Sequence, residues 1–136
     1  MNPGELPLFV YGLLRPGDVL WDRLEPAVRG PITRVQAPGT LHVSPWGSPV
    51  LVADGGGLVD GDLVTCHPGL AADVLVTDEL AYGYDLRWLP VTGDGVDRTA
   101  VVCTWPHPAP GWPVVESGRW PGGRRLDLFP QPEADT

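Results

Sequence analysis

The sequence has no lysine, so all nine of its basic residues are arginines. Schiff-base chemistry on a lysine amine is therefore excluded. The formal net charge is -8, and the only adjacent basic pair is Arg124-Arg125. Proteins that bind nucleic acid or anionic membranes present clusters of basic residues to the phosphates. We therefore expect neither a nucleic-acid partner nor a membrane partner.

Residues that commonly hold metals or act as nucleophiles are scarce. They are Cys66, Cys103, His42, His67, His107, Ser44, Ser48 and Ser117. The sequence has no CxxC, HExxH or GxSxG motif. A cysteine nucleophile with a distant histidine stays open as an alternative, although a buried thiol is the commoner fate of such cysteines. The sequence predicts no metal site and no cofactor.

Long apolar runs are also absent, since none approaches the roughly 20 residues that cross a bilayer. The first residues, Met-Asn-Pro-Gly-Glu, lack the positive region of a signal peptide. A cytoplasmic protein is predicted. With 136 residues, the chain is expected to form one domain over residues 1–130, followed by a flexible acidic tail at residues 131–136.

The chain is rich in turn-forming residues, with 18 glycines and 17 prolines. Its hydrophobic residues form short runs between them, which favours short strands joined by turns. Extended segments are predicted at Leu6–Tyr11, Gly30–Val43, Pro49–Val52, Leu58–Val64, Leu86–Val91 and Thr99–Trp105. With only two helices between them, these segments predict an α+β fold whose sheet is mixed and mainly antiparallel.

Two short helices are predicted. Asp18 is a candidate cap for the first. Its apolar positions recur every four residues at Leu20, Leu24 and Val28, and Pro26 should end or distort it. The second helix begins at Pro68, a residue suited to a first helical turn. The apolar face predicted for it comprises Leu70, Ala71, Val74 and Leu75, continued by Asp78 and Ala81.

The glycine-rich segment Asp54–Gly57 separates two predicted strands. It matches no phosphate-binding motif, and no helix follows it directly. The segment therefore predicts a hairpin turn between Pro49–Val52 and Leu58–Val64.

The segment Leu6–Gly17 joins an apolar strand to a glycine turn and an arginine. Taken alone, Gly12 turns the chain and Arg15 lies at the surface. Two motifs of this segment and four later features form a series along the chain: Tyr11-Gly12, Arg15-Pro16-Gly17, Val59–Leu63, Asp78-Glu79-Leu80, Tyr84 and Ser117–Trp120. In order and rough spacing they resemble the gamma-glutamylcyclotransferase-like family over about residues 6–120. The resemblance implies a small β-barrel with two short helices.

The resemblance also implies a reaction of transferase or lyase type, in which a γ-glutamyl amine or amino acid yields 5-oxoproline and a free amine. That reaction needs a carboxylate base for the substrate α-amine and hydrogen-bond donors for the developing oxyanion. By resemblance, the substrate-binding residues are Tyr11, Gly12, Leu13, Leu14 and Arg15, with Tyr84 as a wall or hydrogen-bond donor. The expected partner is a small molecule with a carboxylate or γ-glutamyl group.

Two positions depart from the family pattern. Leu13 replaces a small hydroxyl residue, and the glutamate position, counted three residues beyond Asp78, holds Ala81. Glu79 and Asp78 are the candidate replacement bases. On a helix Glu79 lies roughly 200° from Ala81, so it substitutes only if the helix has already ended. If neither acid substitutes, the chain is an inactive small-molecule-binding or regulatory domain, and both alternatives stay open.

Overall fold

The computed structural model describes residues 5–121. Its strands are β1 (Leu6–Val10), β2 (Val28–Pro38), β3 (Thr40–Val43), β4 (Pro49–Val52), β5 (Leu58–Cys66), β6 (Asp85–Gly93) and β7 (Val96–Thr104). Its α-helices are α1 (Trp21–Leu24) and α2 (Pro68–Asp78). The tail predicted at residues 131–136 and the Arg124-Arg125 pair lie outside the described residues.

Five strands close into a barrel in the order β1-β5-β2-β6-β7. The neighbouring pairs are antiparallel except β1 and β7, which run parallel and place Leu8 beside Val101. A separate two-stranded sheet is formed by β3 and β4. The predicted fold, an α+β protein with a small mixed, mainly antiparallel β-barrel and two short helices, is confirmed.

Strand β1 is buried on both faces, which explains its unbroken apolar sequence. Side chains alternate across a strand. Phe9 packs inside the barrel in the same cluster as Trp120. Leu8 belongs instead to the cluster that includes Leu24 of α1 and Leu75 of α2. Helices α1 and α2 therefore cover the outer face of β1, and the strand ends near them.

The predicted hairpin at Asp54–Gly57 is wrong, because the strands on either side of it do not pair with each other. Strand β4 pairs with β3, whereas β5 pairs with β1 and β2. The Asp54 carboxylate accepts hydrogen bonds from the Gly56 N–H and the Thr40 hydroxyl, at 2.9 Å each. This turn moves the chain from one sheet to the other. The hairpin turn lies at residues 44–48, between β3 and β4.

The first helix is shorter than predicted. Asp18 does not cap it, because the cap position is Leu20 and no side chain bonds there. The Asp18 carboxylate instead accepts from the neighbouring Val19 N–H at 2.8 Å. Pro26 lies in the 3₁₀ turn Glu25–Ala27 that follows α1, as its ring favours. Val28, expected on the helix, begins β2.

The second helix begins at Pro68 as predicted, and the His67 ring caps it by accepting from the Gly69 and Leu70 N–H groups. It ends at Asp78, so the predicted continuation to Ala81 is wrong. A 3₁₀ turn, Leu80–Tyr82, follows and places Ala81 at the surface. No helix of residues 5–121 is long and apolar enough to span a bilayer.

Candidate active site

A cavity of about 560 Å³ opens where β1 ends beside α2. Its size is typical of small-molecule sites. Its lining includes four groups of residues: the loop after β1 (Tyr11, Gly12, Leu13, Leu14), the end of α2 (Asp78, Glu79), the segment before β6 (Tyr82, Tyr84), and the β3–β4 turn with β4 and β7 (Trp46, Ser48, Pro49, Cys103). The fold thus brings together residues that are far apart in the sequence.

Tyr11 anchors the floor of the cavity. Its hydroxyl donates to the Cys103 carbonyl at 2.6 Å and accepts from the Leu51 N–H at 3.2 Å. Burial raises the pKa of the Tyr11 hydroxyl well above its ordinary value, and the nearby Tyr84 adds to the effect. Tyr11 is therefore a neutral clamp between β4 and β7, with its hydroxyl already engaged.

The loop after Tyr11, residues 12–14, lines one wall of the cavity. A Cβ at Gly12 would lie 2.3 Å from Cγ of Pro49, so the loop passes too close to Pro49 for any side chain at that position. Within residues 5–121, the N–H groups of Gly12, Leu13 and Leu14 have no hydrogen-bond acceptor. The Leu13 side chain is buried and lines the cavity.

Arg15 does not line this cavity, which corrects the predicted position of its side chain. Its Nε bonds the Asp62 carboxylate at 2.8 Å, and it lies in a smaller cleft with Arg34 and Arg119. Asp62 is buried on β5. The ion pair therefore fixes the β1 loop to the barrel. Asp62 belongs to the Val59–Leu63 motif, but the sequence does not show that it is the acid that pairs with Arg15. The pairing of β1 with β5 shows it.

Glu79 is one of two acids that line the cavity, the other being Asp78. Helix α2 has ended at Asp78, and Glu79 follows in a non-helical conformation, with φ −125° and ψ −62°. Burial and, to a smaller extent, the negative charge of Asp78 raise the pKa of Glu79 to about 8, although a hydrogen bond from the Cys103 thiol opposes the rise. A carboxyl group with this pKa exchanges protons readily near neutral pH.

The other two positions considered for the base differ from Glu79. Asp78 lines the cavity, but its carboxylate pairs with Nε of Arg23 at 2.5 Å. Ala81 lies outside the cavity, at the surface of the 3₁₀ turn. Counting along the sequence therefore pointed to a position that does not face the cavity.

Tyr84 forms part of an aromatic wall. Its hydroxyl donates to the Pro49 carbonyl at 2.6 Å, and burial raises its pKa. Trp105 packs edge-on against the Tyr84 ring and at a tilt against Trp46, with ring centroids 5.4 Å apart in each pair. Trp46 stands on the β3–β4 turn, and sequence reasoning missed it because nothing local links that turn to the site.

The cavity is acidic and apolar. None of the residues lining it in the described part of the chain is an arginine, lysine or histidine. In the same range, no group of three or more histidine, cysteine, aspartate or glutamate residues is placed to hold a metal ion. The chemically distinctive groups are thus the Glu79 carboxyl, the Cys103 thiol and the backbone donors of the β1 loop.

Solved structures share this fold at low sequence identity. An uncharacterized protein, PH0828, from Pyrococcus horikoshii is 19% identical, with 85% of this chain and 89% of that chain covered and a TM-score of 0.67. YkqA from Bacillus subtilis is 19% identical, with 85% of this chain but 39% of that chain covered and a TM-score of 0.68. An AIG2-like protein from Mus musculus is 18% identical, with coverages of 79% and 82% and a TM-score of 0.68.

The sequence itself carries the assignment to a family. No curated protein matches the chain. A family model described as gamma-glutamyl cyclotransferase, AIG2-like, matches residues 8–122, which include the last three residues of β1, its loop, Glu79 and the other barrel strands. Because this match spans most of the 136 residues, the chain belongs to the gamma-glutamyl cyclotransferase, AIG2-like, family.

Proposed function

We propose that the protein converts a γ-glutamyl amide to 5-oxoproline and a free amine, with Glu79 as the proton-transfer group. The observation that carries the proposal is the position of Glu79. It lies in a ligand-sized cavity with a pKa of about 8, beside a loop of unused backbone donors. The reaction requires this combination of a base and oxyanion donors.

The chemistry follows from the groups that face the cavity. The Glu79 carboxylate takes a proton from the substrate α-ammonium, and the freed amine attacks the γ-carbonyl carbon of the same molecule. Backbone N–H groups of Gly12, Leu13 and Leu14 are suited to hold the oxyanion and the α-carboxylate. As the C–N bond breaks, Glu79 returns its proton to the departing nitrogen, and the second proton of the attacking nitrogen passes to solvent.

Confinement in the cavity favours ring closure. The γ-glutamyl chain has several rotatable bonds, and holding it folded removes an entropic barrier before the chemical step. Tyr11 and Tyr84 hold the surrounding strands through the bonds of their hydroxyls to backbone carbonyls. The rigid floor and wall support that folded conformation. A cytoplasmic setting is part of the proposal, supported by the free thiols of Cys66 and Cys103.

The alternative is an inactive binding or regulatory domain. It was suggested by Leu13 and by Ala81 at the counted glutamate position. The surface location of Ala81 weakens it, because a carboxylate at that position would not face the cavity. Leu13, which lines the cavity without a hydrogen-bonding side chain, is the feature that still favours it.

Release of 5-oxoproline from a panel of γ-glutamyl amines and amino acids separates these functions. We expect release by the native protein and a loss of about 10²–10⁴-fold in Glu79→Gln. Ala81→Glu is the matched control, since it adds a carboxylate outside the cavity and should leave the rate unchanged. Binding of these ligands without any release would support the binding domain, and an unchanged rate in Glu79→Gln would refute the assigned base.

A further inference from the structure

We infer that Trp46 selects the leaving group, and that the preferred leaving group is a ring-bearing amine without a carboxylate. This inference rests on the proposed function, because it concerns the half of the substrate that departs. It is carried by two independent observations, the aromatic wall and the absence of cations from the cavity lining.

Trp46 is an exposed aromatic residue held in a fixed position at the cavity. The side chain is 44% exposed, yet it lines the cavity and packs against Trp105 and Trp112, with ring centroids 5.4 Å away in each case. Its turn is closed by the Ser48 N–H, which donates to Oγ of Ser44 at 3.0 Å. A large ring that is both exposed and rigidly supported offers a stacking surface at little entropic cost.

Tyr82 adds a second ring to the cavity lining. It is 65% exposed and belongs to the 3₁₀ turn after α2, next to the Glu79 end of the cavity. The buried half of the cavity is formed by Tyr11, Leu13 and the β1 loop, which the γ-glutamyl group would occupy. The more exposed rings of Trp46 and Tyr82 are left for the group attached through the scissile bond.

The charges of the cavity disfavour a leaving group that carries a carboxylate. Among the described residues, the ionisable lining groups include Asp78 and Glu79 but no cation. In the neighbouring cleft, Arg15 and Arg34 pair with Asp62, and Arg119 pairs with Asp60. A second carboxylate on the substrate would lie near the acidic groups of Asp78 and Glu79 without gaining a counter-ion. Amino acids and peptides should therefore be poorer leaving groups than plain amines.

Three substrates test the two features separately. γ-Glutamyl-phenethylamide and γ-glutamyl-phenylalanine differ by one carboxylate, and γ-glutamyl-ethylamide lacks the ring. We expect kcat/KM for the phenethylamide to exceed that for the phenylalanine conjugate by at least about tenfold, because the extra charge is unpaired. We expect it to exceed that for the ethylamide by about three- to tenfold, as one aromatic contact provides.

Variants of Trp46 test whether this residue is responsible for the preference for a ring. Trp46→Ala should reduce the phenethylamide-to-ethylamide ratio to near one, and Trp46→Phe should restore much of it. Trp88→Ala is the matched control, because Trp88 is 58% exposed on β6 and lies outside the cavity lining, so the ratio should not change. A thermal unfolding curve for each variant separates loss of the ring from loss of the fold.

The outcomes distinguish this inference from the proposed function. Turnover with the phenylalanine conjugate equal to or better than the phenethylamide would overturn the inference while leaving the reaction in place. If no conjugate releases 5-oxoproline, calorimetric binding of the same three molecules supplies the ratios. The predicted order of affinities, lost in Trp46→Ala, would then support the selective wall although the proposed reaction had failed, and equal affinities would overturn it.

Discussion

Replacing Glu79 with glutamine is the most informative perturbation, because it should lower activity and raise stability at the same time. Glutamine keeps the size of the side chain and its ability to hydrogen bond, but it cannot ionise or transfer a proton. Both expected effects come from the same property, a carboxyl group held in a poorly solvated place beside Asp78. Measuring both in one variant therefore tests the environment of Glu79 twice.

The activity of the native protein should follow the ionisation of Glu79. With a pKa of about 8, roughly a tenth of the molecules carry the carboxylate at pH 7. The pH profile of kcat/KM should therefore rise about tenfold per pH unit below pH 7 and level off above about 8. In Glu79→Gln this rise should disappear together with the rate.

The contribution of Glu79 to the free energy of unfolding should depend on pH. The pKa of Glu79 in the folded protein is raised above its ordinary value of 4.5, so the folded state holds the proton more tightly than the unfolded state. The stability that the protonated group contributes is complete below pH 4.5 and is lost as the pH rises through about 8. At about 1.36 kcal/mol per pK unit, the loss is roughly 3–5 kcal/mol after allowance for partial exposure.

Urea unfolding of both proteins at a series of pH values measures this difference. The free energies of unfolding should agree near pH 4, and the glutamine variant should become the more stable one as the pH increases towards 9. The comparison cancels the other titrating groups, which the two proteins share. A constant difference between pH 4 and pH 9 would show that Glu79 titrates normally, and the argument for its role as a base would fail.

Three further variants test neighbouring features. Asp78→Asn removes the negative charge that raises the pKa of Glu79, so the midpoint of the pH–rate profile should move to lower pH. Gly118→Ala should lower the free energy of unfolding by about 2–4 kcal/mol in urea titrations, because φ is +72° and the new Cβ would lie 2.3 Å from the Leu58 carbonyl oxygen. Tyr11→Phe should lower it by about 1–3 kcal/mol, since two hydrogen bonds of the hydroxyl are lost.

Much of the secondary structure could be predicted because it depends on local patterns. The strand at Pro49–Val52 is found at its predicted bounds, and the helix start at Pro68 is correct. The pairing of the strands could not be predicted in this way. The turn chemistry of Asp54–Gly57 was recognised, but a local sequence does not record whether β5 pairs with the strand before it or with β1 and β2.

The positions of single residues in the candidate site also depend on contacts that a local sequence does not record. Glu79 reaches the cavity because α2 ends at Asp78, and the end of that helix depends on the 3₁₀ turn and on Gly83, which adopts φ +99°. The count of three residues beyond Asp78 in the family pattern selected Ala81 instead, because the sequence does not show where the helix ends. The location of Arg15 was missed for a similar reason, since its acidic partner Asp62 is 47 residues away on another strand.

Asp78 and Glu79 are adjacent in sequence but have different surroundings, and this difference determines the roles available to each. Asp78 is paired with Arg23 on α1, so it holds the two helices together at the edge of the cavity. Glu79 has no arginine among the groups that shift its pKa; its neighbours include the Cys103 thiol, the Tyr11 and Tyr84 hydroxyls and the negative charge of Asp78. Two carboxyl groups whose environments differ in this way are the arrangement expected of a site in which one acid transfers protons and the other positions it.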